Sequence, residues 1–122
     1  MSDNYSLIIK NGSCFINGKL EKIDIALSGN KIKKIGKIEL NSSKVFDATD
    51  KLVLPGIIDT QVHFREPGSI DREDLESGSR AAVLGGITSV FEMPNTNPPT
   101  SSKKEFQRKL DLAKNKMYCN YP

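Results

Sequence analysis

The chain has 122 residues, 37% hydrophobic and 27% charged, with 18 Lys and Arg against 15 Asp and Glu for a formal charge of +3. That is room for one ordinary domain's worth of core. No apolar run approaches the ~20 residues of a membrane span, and the opening MSDNYSLIIKNG lacks the basic-then-apolar layout of a secretory leader, so a cytoplasmic protein is expected.

The first half reads as β. Residues 6–10 form a short apolar strand closed by Asn11-Gly12, a hairpin signal, and residues 13–16 follow before a second such turn at Asn17-Gly18. Ile23, Ile25 and Leu27 alternate with Asp24 and Ala26, as in a half-buried strand. The turn Ser28-Gly29-Asn30 leads into residues 31–38, with Ile32 and Ile35 as the apolar members. Turns so closely spaced predict a small antiparallel sheet, to which residues 45–46 and 52–54 add further strands. The excess of basic residues lies in this half. Lys31, Lys33, Lys34 and Lys37 are its densest part, and with no aromatic residues among them they read as the wet face of a strand, not a nucleic-acid surface.

The period changes after Pro55-Gly56. Residues 57–59 are a buried parallel-type strand, and residues 71–84 a helix with Leu75, Ala82 and Val83 on one side, acidic residues in its first turn and Gly85-Gly86 at its end. Residues 87–93 make a second strand. Ser102 and Glu105 have the form of a capping box, opening a helix to about Lys116 that carries Phe106, Leu110, Ala113 and Met117 at helical spacing. Residues 118–121 open a third strand. This rhythm is that of a parallel α/β fold, halted in mid-element, so the chain reads as the front of a longer protein. The boundary falls between 1–54 and 55–122.

Cys14 and Cys119 match no zinc or redox spacing and read as small buried hydrophobes. His63 is the single histidine, so the chain alone completes no histidine-rich metal site.

Two segments carry chemistry. In PGIIDTQVHFREPG, residues 55–68, Asp59, Gln61 and His63 stand at i, i+2 and i+4 on one face of a strand, and Arg65 continues the alternation. At the C-terminal end of a parallel strand this is where α/β barrels place their sites. It is equally a structural cluster, with Asp59 paired to Arg65 and His63 hydrogen-bonded. In EMPNTNPPT, residues 92–100, Asn95 and Asn97 flank Thr96 in a Pro-rich loop that presents rigid amides, or that is turn chemistry alone.

These two segments, together with the intervening EDLESGSRAAVLGGITSVF, closely resemble the start of dihydroorotases, members of the amidohydrolase superfamily. The resemblance implies a small β-sandwich domain, here its N-terminal part, followed by the first two βα units of a metal-dependent (β/α)8 TIM barrel. It implies reversible cyclisation of N-carbamoyl-L-aspartate to dihydroorotate in pyrimidine biosynthesis. Arg65 matches the arginine that grips the substrate carboxylate, a residue that the similar allantoinases and hydantoinases usually lack, and Asn95 matches an amide donor to the same carboxylate. His63 matches one zinc ligand. Gln61 departs from the family's His-x-His, and its amide oxygen is a much weaker zinc ligand than an imidazole. Asp59 falls in a supporting position behind the ligands.

The resemblance further implies one or two zinc ions that activate a water against the ring carbonyl, with a proton-shuttling aspartate on a later strand. No catalytic acid–base residue falls in these 122 residues, so the chain alone is expected to be inactive. The alternatives within the resemblance are a non-catalytic homologue that scaffolds aspartate transcarbamoylase and another cyclic amidohydrolase, of the allantoinase or hydantoinase kind. As partners it implies a homodimer or association with aspartate transcarbamoylase.

Overall fold

The computed structural model describes residues 5–39 and 44–121, and the chain divides into two compact units, Met1–Pro55 and Gly56–Pro122. The first contains β1 (Leu7–Lys10), β2 (Ser13–Ile16), β3 (Lys19–Lys22), β4 (Asp24–Ser28), β5 (Lys31–Gly36), β6 (Val45–Asp47) and β7 (Leu52–Val53). They form two sheets, ordered β5-β4-β1-β6 and β3-β2-β7, not the one antiparallel sheet the turns suggest. Both sheets are mixed, because β6 joins β1 and β7 joins β2 in parallel.

The corrections have local causes. Asn17-Gly18 is a true two-residue hairpin, with both residues at positive φ and Ile16 opposite Lys19. Asn11-Gly12 is not, since β1 and β2 lie in different sheets. Asn11 sits at φ 65°, donating its N–H to Asp24 Oδ1 and its Nδ2 to Asp47 Oδ1, and so anchors a crossing between sheets. Gly12 is required there because a Cβ would lie 2.6 Å from Val53 Cγ2. In β4 the alternation breaks: adjacent Ile25 and Ala26 are both buried, next to a register shift after Ala26. Ile32 and Ile35 of the edge strand β5 are exposed. The core of this unit is Tyr5, Ile8, Ala26 and Ile38.

The second unit runs β8 (Ile57–Val62), α1 (Leu75–Leu84), β9 (Ile87–Glu92) and α2 (Lys103–Ala113). β8 and β9 pair in parallel, and Asn120 bridges to Ser89, also in parallel, where a third strand was expected. Helix α1 begins at Leu75 and not at 71, because Asp74 caps it. Its Oδ1 accepts the Ser77 N–H at 2.7 Å, and Ser77 Oγ accepts the Asp74 N–H in return. Those bonds hold the Asp74 carboxyl below the usual aspartate range. Only Glu76 is acidic within the first turn. The buried stripe is Leu75, Gly78 and Ser79, with Ala82 half-buried and Val83 exposed.

Ser79 is tolerated in that stripe because its hydroxyl donates to Glu76 O and accepts the Tyr118 N–H. Helix α2 ends at Ala113, short of Lys116, and Asn115 follows at φ 64°. Its Ser102 cap accepts the Glu105 N–H, while the Glu105 carboxylate turns to Arg108. Phe64, Leu75, Val90, Ala113 and Cys119 form the core, and Met117 packs against it from beyond the helix. Cys14 and Cys119 are free and buried as expected, and burial raises both thiol pKa values.

Helix propensity alone favours Gly78→Ala by ~1 kcal/mol. Here the new Cβ would lie 2.8 Å from the ring of buried Phe64. The substitution is therefore expected to lower stability by about 1 kcal/mol in denaturant unfolding, since overpacking a filled core outweighs propensity. A more stable variant would show that Phe64 yields.

Candidate functional site

The candidate residues gather where β8 and β9 end side by side. Three bonds join the two outgoing loops. Met93 N–H donates to Val62 O at 2.8 Å, His63 Nδ1 meets Asn95 Oδ1 at 3.0 Å, and Asn97 N–H donates to Pro67 O at 3.0 Å. Gly68 makes the last approach possible: it sits at φ 120°, and a Cβ would fall 2.8 Å from Asn97 Cβ. Thr96, between the two asparagines, is buried and its hydroxyl donates to Pro98 O. Both loops carry a cis peptide bond, at Glu66-Pro67 and Asn97-Pro98.

Strand alternation persists beyond β8. Phe64 and Glu66 are buried at 4% and 6% exposure, whereas His63 and Arg65 between and before them are exposed. Phe64 is held by the core. Glu66 is held by two bonds, Oε2 accepting the Leu75 N–H at 2.9 Å and Oε1 the Lys116 ammonium at 2.8 Å. The bond to Glu66 holds the Lys116 pKa above its usual value. Two buried anchors thus fix the backbone that displays the imidazole and the guanidinium.

The two readings of this cluster each hold in part. His63 is hydrogen-bonded, to Asn95. Asp59 is not paired to Arg65: its Oδ1 accepts the Gln61 N–H at 2.9 Å, and among the described residues the Arg65 side chain makes no ion pair or hydrogen bond. Gln61 and His63 are exposed at the strand end, and Asp59 is half-buried. This donor set does not fit a zinc site. It offers one imidazole and one neutral amide, with a carboxylate already engaged on the backbone, and no three His, Cys, Asp or Glu converge among the described residues.

Sequence reasoning passed over a buried pair beneath the loops. Glu92 Oε2 meets Lys109 Nζ at 3.1 Å, and Glu92 Oε1 and the Thr100 hydroxyl are buried without a partner among the described residues. All three residues line a cavity of about 260 Å³ walled by Phe64, Val90 and Phe106. The signal was present: Lys109 falls between Phe106 and Ala113 on the apolar stripe of α2, a place where an ammonium needs a buried acid. Glu66 and Lys116, by contrast, left no signal, since partners so distant in sequence make no local pattern.

The Dihydro-orotase-like family profile matches residues 50–117, more than half of the chain. The chain belongs to this family. It is 41% identical over 109 residues to the dihydroorotase of Lactobacillus gasseri, covering 89% of this chain and 25% of that protein. It is 42% identical over 115 residues to the allantoinase of Salmonella choleraesuis, covering 93% and 25%. Among solved structures, the L-hydantoinase (dihydropyrimidinase) from Arthrobacter aurescens superposes with a TM-score of 0.87 at 28% identity, covering 96% of this chain and 27% of that one. The chain therefore spans about a quarter of the length of these relatives. Overall identity does not separate dihydroorotase from allantoinase, so the distinction rests on individual side chains.

Burial raises the pKa of Glu92, an effect that Lys109 and the field of His63 partly offset. A carboxyl with a raised folded-state pKa binds its proton more tightly when folded. Its contribution to stability is thus fully present below about pH 4.3, the ordinary glutamate value, and is lost as pH rises through the raised value. Glu92→Gln removes that titration. Its stability should fall less steeply with pH above about 4.3 than that of the unsubstituted chain; parallel profiles from urea midpoints would contradict this.

Proposed function

We propose that this chain supplies the substrate-gripping part of a dihydroorotase, a cyclic amidohydrolase that opens and closes the ring between dihydroorotate and N-carbamoyl-L-aspartate. The carrying observation is Arg65, an exposed guanidinium without an ion partner among the described residues, displayed between buried Phe64 and Glu66 beside the His63–Asn95 pair. Dihydroorotate carries a carboxylate outside the ring amide, and a guanidinium matches it with a bidentate fork. Asn95 Nδ2, also without a partner among the described residues, adds a second donor to the same anion. Allantoin and hydantoin rings have no such carboxylate, and an unanswered guanidinium does nothing for them.

The remaining chemistry belongs to more chain than this. Relatives four times as long, a parallel β8–β9 pair and exposed Ile57, Ile58 and Phe91 on those strands support a (β/α)8 barrel whose later strands bring the groups that activate water and move protons. Within the present residues, the chemistry is recognition: Arg65 and Asn95 bind and orient the ring through its carboxylate. No step is assigned to a metal, because Gln61 and His63 do not make a zinc pair.

Gln61 favours one second reading, a non-catalytic relative that serves as a structural partner of aspartate transcarbamoylase. Turnover divides the two: the intact protein opens dihydroorotate if it is the enzyme and leaves it untouched if it is the partner.

In the intact protein carrying this chain, Arg65→Met should reduce kcat/KM for dihydroorotate roughly 100-fold or more, the scale of a lost charge-assisted bidentate pair. Activity on a ring without the carboxylate should change little. Equal losses on both substrates, or none on dihydroorotate, would overturn the assignment.

A further inference from the structure

We propose that Asn95 is also the positioning residue of His63, its Oδ1 holding the imidazole in the Nδ1–H form so that Nε2 presents its lone pair to the site. An amide oxygen can only accept. The 3.0 Å contact between Asn95 Oδ1 and His63 Nδ1 is a hydrogen bond only in the tautomer that carries its proton on Nδ1, and a neutral ring then has none on Nε2. Among the described residues nothing hydrogen-bonds to Nε2. His63 stands one residue beyond β8 and would otherwise turn freely. Its partner is fixed independently by the bonds at Met93 and Asn97, which flank Asn95 on either side.

The same amide faces two ways. Its Nδ2 is free of partners among the described residues, and the reading given above assigns it to the substrate carboxylate. An amide that donates through Nδ2 becomes a better acceptor at Oδ1, because the two bonds polarise it in the same sense. Arrival of the carboxylate therefore tightens the hold on the imidazole. A ring lacking that group leaves Nδ2 unanswered and the imidazole less firmly set. This second arm rests on the dihydroorotase reading, whereas the first rests on the His63–Asn95 geometry alone.

The chain has one histidine, so 15N-histidine labelling reports on His63 without ambiguity. The probe is the 15N spectrum of the 122-residue chain at about pH 8.5, above the ordinary histidine range. The expected result is a protonated, pyrrole-type Nδ1 and a bare, pyridine-type Nε2. Asn95→Asp, which keeps an acceptor, should retain that signature, and Asn95→Leu should shift the ring to the Nε2–H form. An Nε2–H ring in the unsubstituted chain, or an Nδ1–H ring that persists in Asn95→Leu, would overturn the proposal. Neither result depends on substrate. A failure here with Arg65 still required for dihydroorotate would remove the positioning role and leave the reading intact, while the reverse outcome would leave the positioning role and remove the reading.

Discussion

The site depends on the lateral joining of two loops. Each leaves the end of a parallel strand, where the regular ladder stops, and each would be mobile if it stood alone. The bonds at Val62–Met93, His63–Asn95 and Pro67–Asn97 continue the contact between β8 and β9 beyond the last paired residues. Gly68 exists at that position because the third of these bonds leaves no room for a side chain. Without this joining, His63 and Arg65 on the first loop would stand unrelated to Asn95 on the second.

Beneath the loops, charge is used where an all-apolar floor might be expected. Glu66 ties the first loop to the start of α1 and to Lys116, and Glu92 ties the end of β9 to Lys109 on α2. Of the two, only Glu92–Lys109 is buried on both sides, since the Lys116 ammonium is exposed. A buried pair contributes little net stability against well-packed apolar replacements, but breaking it by removing one partner is costly. Their effect is geometric. Each fixes a single arrangement of loop and helix, and Glu66 does so at the residue adjoining Arg65. Glu92 Oε1 remains unpaired against the cavity wall, which is why burial dominates its pKa.

Much of the second unit was legible because its signals are local. The strand at the apolar run 57–59, the Gly85-Gly86 stop and the Ser102 cap all lie within a few residues of what they specify. The run is not buried as its composition suggests: Ile57 and Ile58 are exposed, because a single neighbouring strand and one helix leave them uncovered among the described residues. What escaped was non-local or carried no pattern. β3 reads KLEK and is exposed throughout, so no periodicity marks it. Asn11-Gly12 has the chemistry of a hairpin, yet its partners Asp24 and Asp47 lie far along the chain and make it a crossing between sheets. The start of α1 was set by one cap at Asp74, not by the acidic residues ahead of it. At the site the residue types were readable, but the strict alternation expected of Asp59, Gln61 and His63 is interrupted by a register shift between Asp59 and Val62, which leaves Asp59 half-buried and Gln61 and His63 exposed. The His63–Asn95 bond required the two loops to be placed, and Asp59 is drawn from Arg65 by the neighbouring Gln61 N–H.

Membership of the family leaves the substrate to the side chains, since dihydroorotase and allantoinase relatives are matched to nearly the same degree. The account turns on a guanidinium and an amide donor that have no partner among the described residues, and on an anion that some cyclic amides carry and others lack. The most direct measurement is turnover of dihydroorotate by the intact protein carrying this chain, set against dihydrouracil, the same ring without its carboxylate. The account predicts ring opening of dihydroorotate and negligible action on dihydrouracil. Comparable or preferred turnover of dihydrouracil would contradict it, and would place the chain with relatives that recognise the ring alone.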